Sequence, residues 1–242
     1  MLSIIIPTLN EEKYIGKLLN SLKRQSFKDF EVLIVDGNSK DNTIKVAKNK
    51  DFKSLKLSVI KTKGPNVAMQ RNVGAQGSKG NKLLFVDADC IMDKRFLEKM
   101  LEEARKKDIR LGGSKILPIE NSFVYTTYYS IFNLYLKLMR IFRPYLNTAC
   151  LLADKKIHDK ISGFNEKIVF GEDYEYSSRA AEHVKSHMFK SVAIKTSTRR
   201  FQRYGLVKTT LKFIFAGILL VFVKGFKKNI IDYKFGGFSK DR

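Results

Sequence analysis

The sequence of 242 residues contains no tryptophan, only four prolines and two cysteines, Cys90 and Cys150. Two cysteines are too few for the disulfide framework of a small secreted protein, so a reducing cytoplasm is the simpler interpretation. The chain opens with the strand-like run 2–6, beside which there is neither a basic region nor a small-residue cleavage site, and we expect no secretory signal peptide. Without repeats or long flexible linkers, this length fits one α/β domain with a short appendage.

Acidic residues are also scarce, with 24 Asp and Glu against 46 Lys and Arg, which gives a formal net charge of +22. An excess of this size predicts an anionic partner, and nucleic acid, anionic lipid and a phosphorylated substrate all meet that description. Residues 199–242 carry eleven Lys or Arg against two Asp, and they include the longest apolar run, 213–223, between Lys212 and Lys224. Basic residues at both ends of an apolar helix favour a membrane surface over a nucleic-acid groove.

No apolar run reaches the roughly 20 residues with which one helix spans a bilayer. The run 213–223 has eleven residues, so we expect a helix on or partly in the membrane, although snorkelling lysines would also allow a strained single span. The aromatic-rich stretch 122–143 is predicted to form another helix. For that helix the sequence leaves a buried and a membrane-facing position equally open.

The first half of the chain alternates short β-branched runs with helical patterns. Strands alternating with helices indicate βαβ units, and hence an α/β fold with a mostly parallel sheet flanked by helices. Ligands of such sheets bind outside the carboxyl ends of the strands, so candidate site residues are sought there. The predicted strands are 3–7, 31–36, 57–62, 82–87 and 146–153; the predicted helices are 13–24, 43–50, 66–76, 94–107 and 172–184, with an amphipathic helix, an apolar helix and a basic tail after residue 200.

Two carboxylates, Asp87 and Asp89, directly follow the apolar run 83–86. Residues two apart in extended backbone point to one side, so both side chains can reach one site. Such a pair at a strand end suits a hard divalent cation shared with substrate phosphates. Asp89 or Asp93 could instead cap the helix that follows, but the position after a strand in a βαβ series favours the metal.

Further acids end other predicted elements. Asp36 follows the second strand, where it could accept hydrogen bonds from a ribose or a base, whereas Asp41 or Asn42 is the better candidate for a helix cap. Glu172 and Asp173 begin a helix. There they either complement the helix dipole, worth a few tenths to about 1 kcal/mol, or supply a general base, and without further context the dipole role is the stronger interpretation.

Taken together, these blocks resemble the inverting family 2 glycosyltransferases of the GT-A fold, which is Rossmann-like. Two departures from the family pattern stand out. Ser162 replaces the first glycine of its G-G-F turn, and its Q-x-x-R-W block, typical of processive polysaccharide synthases, is absent, which favours transfer of a single sugar. The matching blocks, in the family's order, are SIIIPTLNEE (3–12), VDGNSKDNT (35–43), D-A-D (87–89), S-G-F-N-E (162–166) and G-E-D (171–173).

The resemblance implies a role for each matching residue. Asp89, together with Asp87, would bind Mg²⁺ or Mn²⁺ at the diphosphate, and Asp173 would be the base that deprotonates the acceptor. The donor would be a UDP-, GDP- or dTDP-linked sugar, and no nucleic-acid partner is expected. The residues that would contact the nucleotide sugar are Pro7, Leu9, Glu11, Asp36, Arg71, Asn72, Asp87, Ala88, Arg199 and Arg200.

The resemblance and the charge pattern together divide the chain into a GT-A domain, residues 1–204, and a basic, apolar, membrane-associating helical segment, residues 205–242. We expect the enzyme to meet a membrane lipid or lipid-linked acceptor, such as a polyprenyl phosphate, at the cytoplasmic face of the cell membrane.

Two other functions compete with this interpretation. A nucleotidyltransferase would share the α/β nucleotide site, but it would normally carry a Gly-rich loop after the first strand, where this chain has residues 7–10, Pro-Thr-Leu-Asn. A non-enzymatic basic module for RNA or anionic lipid would agree with the charge, but it leaves the ordered acids unexplained and no RNA-binding signature is recognisable.

Overall fold

A computed structural model of the chain describes residues 1–142, 144–223 and 225–227. Its strands are β1 Leu2–Thr8, β2 Phe30–Asp36, β3 Leu57–Lys61, β4 Lys82–Phe85, β5 Cys90–Ile91, β6 Leu111–Pro118, β7 Leu151–Asp154 and β8 Ser186–Thr196. Its helices are α1 Ile15–Lys23, α2 Thr43–Ala47, α3 Val67–Gln76, α4 Phe96–Lys106, α5 Phe123–Phe142, α6 Lys155–Lys160, α7 Glu172–Ala181, α8 Arg199–Tyr204 and α9 Leu206–Phe222, with a 3₁₀ turn at Lys50–Phe52. Over the described residues the strands form one sheet in the order β3-β2-β1-β4-β7-β6-β8-β5.

The strands β3, β2, β1 and β4 are parallel to one another. Every residue of β1 is buried, because helices cover both faces of this half of the sheet. Each of these strands begins and ends within two residues of its predicted bounds. The register sets Thr8 at the end of β1 opposite Asp36 at the end of β2, so the polar ends of both strands meet at one edge.

The other half of the sheet is mixed. β7 is antiparallel to β4 and to β6, whereas β6 and β8 are parallel and β5 is antiparallel to β8. The expected strand 146–153 begins only at Leu151, and the sequence did not predict β6 and β8. After its first residue, Leu111, β6 continues with Gly112 and Gly113. A Cβ on Gly112 would lie 2.8 Å from the ring of Phe189, so close packing requires a glycine there, and the strand lacks the alternation of apolar and polar residues by which strands are recognised.

Helix α5 packs one face on β6 and leaves the other in solvent. The side chain of Asn133 donates to the carbonyl of Ile116 at 2.7 Å and accepts from its N–H at 3.0 Å. Tyr129 and Leu136 are buried, while Phe123 is 87% exposed. The helix therefore has one buried face and one exposed face, and the membrane-facing position stays a prediction for the exposed one.

Helix α9 follows Gly205 and lies beside α5. A Cβ on Gly217 would lie 2.0 Å from the Tyr135 hydroxyl, so the two helices approach closely at this glycine. The opposite side of α9 exposes an apolar stripe, and in the described residues no helix is long and apolar enough to cross a membrane. The predicted basic tail beyond residue 227 lies outside the described residues. The exposed stripe consists of Val207, Leu211, Phe215 and Ile218.

Candidate active site

The ends of β1 and β2 form an ordered polar edge. The buried carboxylate of Asp36 accepts hydrogen bonds from the Thr8 hydroxyl at 3.1 Å and from the N–H and hydroxyl of Ser39 at 2.9 and 2.5 Å. The Gln70 amide donates to the carbonyls of Thr8 and Val35 at 2.9 and 2.7 Å. These bonds fix the loop that the sequence predicts to hold the nucleotide. Of the predicted contacts nearby, Pro7 is buried within β1, Leu9 is half-buried just beyond it and Ala88 is buried between the paired acids.

Beside this edge, Arg199 at the start of α8 bridges two acids. Its guanidinium donates two hydrogen bonds to the Glu11 carboxylate, at 2.6 and 2.8 Å, and its Nε lies 3.0 Å from a carboxylate oxygen of Asp89. The same group stacks over the ring of Tyr14, 4.3 Å from its centroid. Burial raises the pKa of Glu11 to about 7 although Arg199 opposes the shift. We call Arg199, Glu11 and Asp89 the Arg199 cluster.

A second arginine, Arg71 on α3, lies deeper and is 2% exposed. It donates to Glu172 at 2.8 Å, to Asp87 at 3.1 Å and to the Thr148 hydroxyl at 2.7 Å. Burial raises the pKa of Asp87 to about 6, with Arg71 opposing the rise. We call Arg71, Asp87 and Glu172 the Arg71 cluster. It joins the end of the parallel half, through Asp87, to the start of α7.

Asp173 follows directly on α7. Its carboxylate accepts hydrogen bonds from the Tyr174 N–H at 2.8 Å and from the Tyr145 hydroxyl at 3.4 Å. Burial raises the pKa of Asp173 to about 7, and the neighbouring Glu172 carboxylate adds to the rise. A carboxylate with this pKa can accept a proton near neutral pH. The sequence did not predict the contact with Tyr145, because this tyrosine stands in a loop without a motif.

Asn72, next to Arg71, binds the turn after α6. Its side-chain amide donates to the Phe164 carbonyl and to Glu166, both at 2.9 Å, and accepts from the Phe164 N–H at 2.7 Å. Gly163 has φ +68° and a Cβ there would lie 2.4 Å from the Asn72 side-chain oxygen. This glycine is therefore required, whereas the preceding position tolerates Ser162.

A cavity of about 340 Å³ adjoins the Arg71 cluster. Arg71, Asp87 and Asp173 are the predicted site residues that line it. Arg200 is not among the lining residues, but its guanidinium lies 5.9 Å from the ring centroid of the lining residue Phe213 on α9. The rest of the lining includes the polar side chains of Asn66, Asn147 and Thr148 together with apolar side chains from several elements, α5 and α9 among them. The lining residues from these two helices are Phe132, Tyr135, Leu136, Phe213, Gly217 and Leu220.

The acids at this edge fit a divalent cation whose coordination shell is completed by oxygen atoms of a substrate. Within the described residues, no three His, Cys, Asp or Glu side chains converge to form a metal site from protein groups alone. Magnesium, however, is commonly held by one or two carboxylates together with substrate phosphates. The side chains of Asp89 and Asp87 are 18% and 40% exposed, so both can be reached by a ligand at the cavity edge.

The sequence matches the family Glycosyl transferase family 2 over residues 3–163. It is 40% identical over 99 residues to the Staphylococcus aureus poly(ribitol-phosphate) beta-N-acetylglucosaminyltransferase TarS, covering 40% of the chain and 17% of TarS. It is 27% identical over 186 residues to glycosyltransferase AglE of Haloferax volcanii, covering 74% of the chain and 61% of AglE. With the GalNAc(5)-diNAcBac-PP-undecaprenol beta-1,3-glucosyltransferase of Campylobacter jejuni the identity is 30% over 125 residues, covering 50% of the chain and 40% of that relative. The chain thus spans from about a sixth to three fifths of the length of these relatives.

Two solved structures share the fold. S. aureus TarS 1–349 in complex with UDP-GlcNAc superimposes with a TM-score of 0.67 at 21% identity, covering 90% of this chain and 66% of that one. The mannosyltransferase PcManGT of Pyrobaculum calidifontis, in complex with GDP-Man and Mn²⁺, gives a TM-score of 0.68 at 16% identity, covering 90% and 64%. These similarities confirm the expected GT-A architecture.

Proposed function

The chain belongs to glycosyl transferase family 2, and on that premise we propose that it is an inverting enzyme that moves a single sugar from a nucleoside diphosphate sugar to a lipid-linked acceptor, such as a polyprenyl phosphate, at the cytoplasmic face of the membrane. The observation that carries the proposal is one cavity with Asp173, whose pKa is about 7, and Asp87, one of the paired acids, in its wall. Asp173, the candidate proton acceptor, and Asp87, at the candidate site of the leaving diphosphate, thus line the same cavity.

The residues of this site suit a displacement at the anomeric carbon. An acceptor oxygen forms a bond to that carbon while the bond to the diphosphate oxygen breaks, and attack from the opposite side inverts the centre. Where the acceptor is a hydroxyl, its proton passes to the Asp173 carboxylate, to which the Tyr145 hydroxyl donates a hydrogen bond. Negative charge grows on the departing diphosphate, where Arg199 can stabilise it by moving from its acid partners.

A divalent cation, Mg²⁺ or Mn²⁺, would be held by Asp89 with Asp87 and would supply further charge stabilisation at the diphosphate. That PcManGT was solved with GDP-Man and Mn²⁺ supports this part of the proposal. We expect EDTA to abolish transfer and added Mn²⁺ to restore it, and nucleoside diphosphate binding to weaken in EDTA as well. Full turnover in EDTA would remove the metal from the proposal.

The nucleotide-sugar donor is supported by the ligands of the structural neighbours, which are UDP-GlcNAc and GDP-Man. The decisive experiment is a panel of UDP-, GDP- and dTDP-sugars with a polyprenyl phosphate acceptor and with a hydroxyl acceptor, measuring release of nucleoside diphosphate. A nucleotidyltransferase would release pyrophosphate instead, and a non-enzymatic lipid- or RNA-binding module would release neither. Either of those results contradicts the proposal.

Asp173→Asn tests the base. With a hydroxyl acceptor we expect kcat to fall by roughly 10² or more. An ionised phosphate acceptor needs no proton transfer, so there the loss is milder. Asp159→Asn, at an exposed acid on α6, is the matched control and should keep wild-type turnover. Equal activity of both variants towards a hydroxyl acceptor would exclude Asp173 as the base.

The membrane part of the proposal is supported by the apolar stripe of α9 and by the lysines interspersed with it. Among the relatives, the C. jejuni enzyme is named for an undecaprenol-linked substrate. We expect the full chain to bind vesicles of phosphatidylcholine and phosphatidylserine, and Leu211→Glu with Ile218→Glu to release it. Ser54→Glu, at an exposed site just before β3 and outside α9, is the control. Failure of the wild-type chain to bind at low salt would point to a soluble acceptor.

A further inference from the structure

The cavity beside Asp173 has two chemically different ends. Carboxylates and the Tyr145 hydroxyl line one end. Aromatic and aliphatic side chains of α5 and α9, among them Phe132, Phe213 and Leu220, line the other. A sugar placed against the apolar end would lose hydrogen bonds to water without gaining partners from these three side chains, whereas a hydrocarbon would gain by leaving water.

The apolar wall is fixed in position relative to the candidate base. A Cβ on Gly171 would lie 2.7 Å from Leu220, so α9 touches the residue that precedes Glu172 and Asp173. On the far side, Tyr135 of α5 lies directly over Gly217 of α9. A group held against this wall of the cavity therefore has a set position with respect to the Asp173 carboxylate.

The same two helices carry apolar residues from the cavity wall to the outer surface. On α5, Ile131 is 63% exposed and Leu134 is 55% exposed, and they neighbour the lining residue Phe132. On α9, Ile218 is 53% exposed, whereas the lining residue Leu220, two positions on and so on the other face of the helix, is buried. Both helices thus present apolar side chains to the cavity on one face and to the surface that the proposed function turns towards the membrane on another.

We propose that the apolar end of this cavity binds the first hydrocarbon units of a lipid phosphate acceptor, whose headgroup lies beside Asp173. The inference rests on the proposed function and names the part of the site that selects the acceptor. The occupant is a single lipid chain next to its phosphate, because apolar side chains and carboxylates line the same cavity.

The test is calorimetric binding of soluble isoprenyl phosphates to the full chain. Each buried methylene should raise affinity roughly fourfold, so farnesyl phosphate should bind at least tenfold more tightly than dimethylallyl phosphate, and inorganic phosphate more weakly still. Phe132→Gln should remove most of this preference. Ile131→Gln, the adjacent exposed residue on α5, should keep it. Binding of UDP or GDP with Mn²⁺ to each variant checks that the fold is retained.

Two outcomes would overturn the inference: equal affinity for farnesyl phosphate and inorganic phosphate, or the same chain-length preference in Phe132→Gln and Ile131→Gln. These failures differ from a failure of the proposed function. If no sugar donor releases nucleoside diphosphate while farnesyl phosphate binds in a Phe132-dependent way, the lipid site stands and the enzymatic proposal falls. If donors are turned over but chain length has no effect, the reverse holds.

Discussion

Two arginines in this molecule each bridge two acids, and their surroundings differ. Arg71 is 2% exposed and comes from a helix of the parallel half, whereas the Arg199 side chain is 12% exposed and comes from a segment more than a hundred residues later. Arg71 ties together elements of the fold, the end of β4 and the start of α7. Arg199 reaches back to the acids at which a nucleotide and its cation are expected. The Arg71 cluster thus suits a structural role, which we call the scaffold. The Arg199 cluster suits a contact that a bound ligand can replace, which we call exchangeable.

The largest effect should separate the two arginines by stability. Arg71→Met removes a buried guanidinium and leaves Glu172, whose side chain is 13% exposed, and the more exposed Asp87 without their cation, which costs up to about 3–5 kcal/mol. Arg199→Met should cost clearly less, because Glu11, whose pKa is already about 7, can take up a proton. The measurement is urea unfolding of both variants at pH 7 without ligand. Equal losses would mean that the Arg199 cluster is also part of the scaffold.

The second effect should separate the clusters by their response to ligand. A nucleoside diphosphate with Mn²⁺ at 100 times its Kd stabilises the protein by about 2.7 kcal/mol. Asp89→Asn should abolish most of this gain while leaving the ligand-free protein folded, because Asp89 belongs to the exchangeable cluster. Asp159→Asn should keep the gain. An undiminished thermal shift in Asp89→Asn would place the diphosphate elsewhere.

The sequence predicted the parallel half much better than the mixed half. Strands β1, β2 and β4 are buried on both faces and are therefore nearly continuous apolar runs, which can be recognised without knowledge of their partners, while the half-exposed edge strand β3 shows its β-branched residues locally. Strands β6 and β8 are held by partners distant in sequence, and their glycines and lysines hide the strand pattern. Pairing across the fold, rather than local preference, decides such strands.

The candidate site divides in the same way. The strand-end position of Asp87 and Asp89 follows from local sequence, and so does the helix start at Asp173. The partners of these acids do not, because Arg71, Tyr145 and Arg199 reach them only through the tertiary fold. The apolar cavity wall was likewise not predictable, since it needs α5 and α9 to approach at Gly217.

The third effect is a dependence of stability on pH through Asp173, which neighbours Glu172 of the Arg71 cluster. The folded-state pKa of Asp173 is about 7, above its ordinary value of 3.8, so between these pH values the folded protein holds a proton that the unfolded chain releases. The stability of the ligand-free protein therefore falls as pH rises through this window. Asp173→Asn should have little effect at pH 4 and should stabilise the protein by about 1–2 kcal/mol at pH 8. A stability difference that does not change with pH would contradict the raised pKa.

The smallest effect concerns Asn72, which neighbours Arg71 on α3. If α3 supplies scaffold contacts, Asn72→Ala should remove hydrogen bonds to the turn at Phe164 and lower the free energy of unfolding by about 1–2 kcal/mol. The donor KM should then change by less than about twofold, because the hydrogen bonds that are lost connect α3 to the turn and do not contact the ligand. If Asn72 instead contacts the nucleotide sugar, as the family resemblance implies, the donor KM should rise with little change in stability. Steady-state kinetics and urea unfolding of the same variant decide between the two.

Asn165→Ala, in the same turn, is the control for general weakening of that loop, since its side chain bonds only locally to Lys167 in the described structure. A rise in KM in Asn72→Ala alone would extend the exchangeable region to α3 and would break the division between the two arginine clusters.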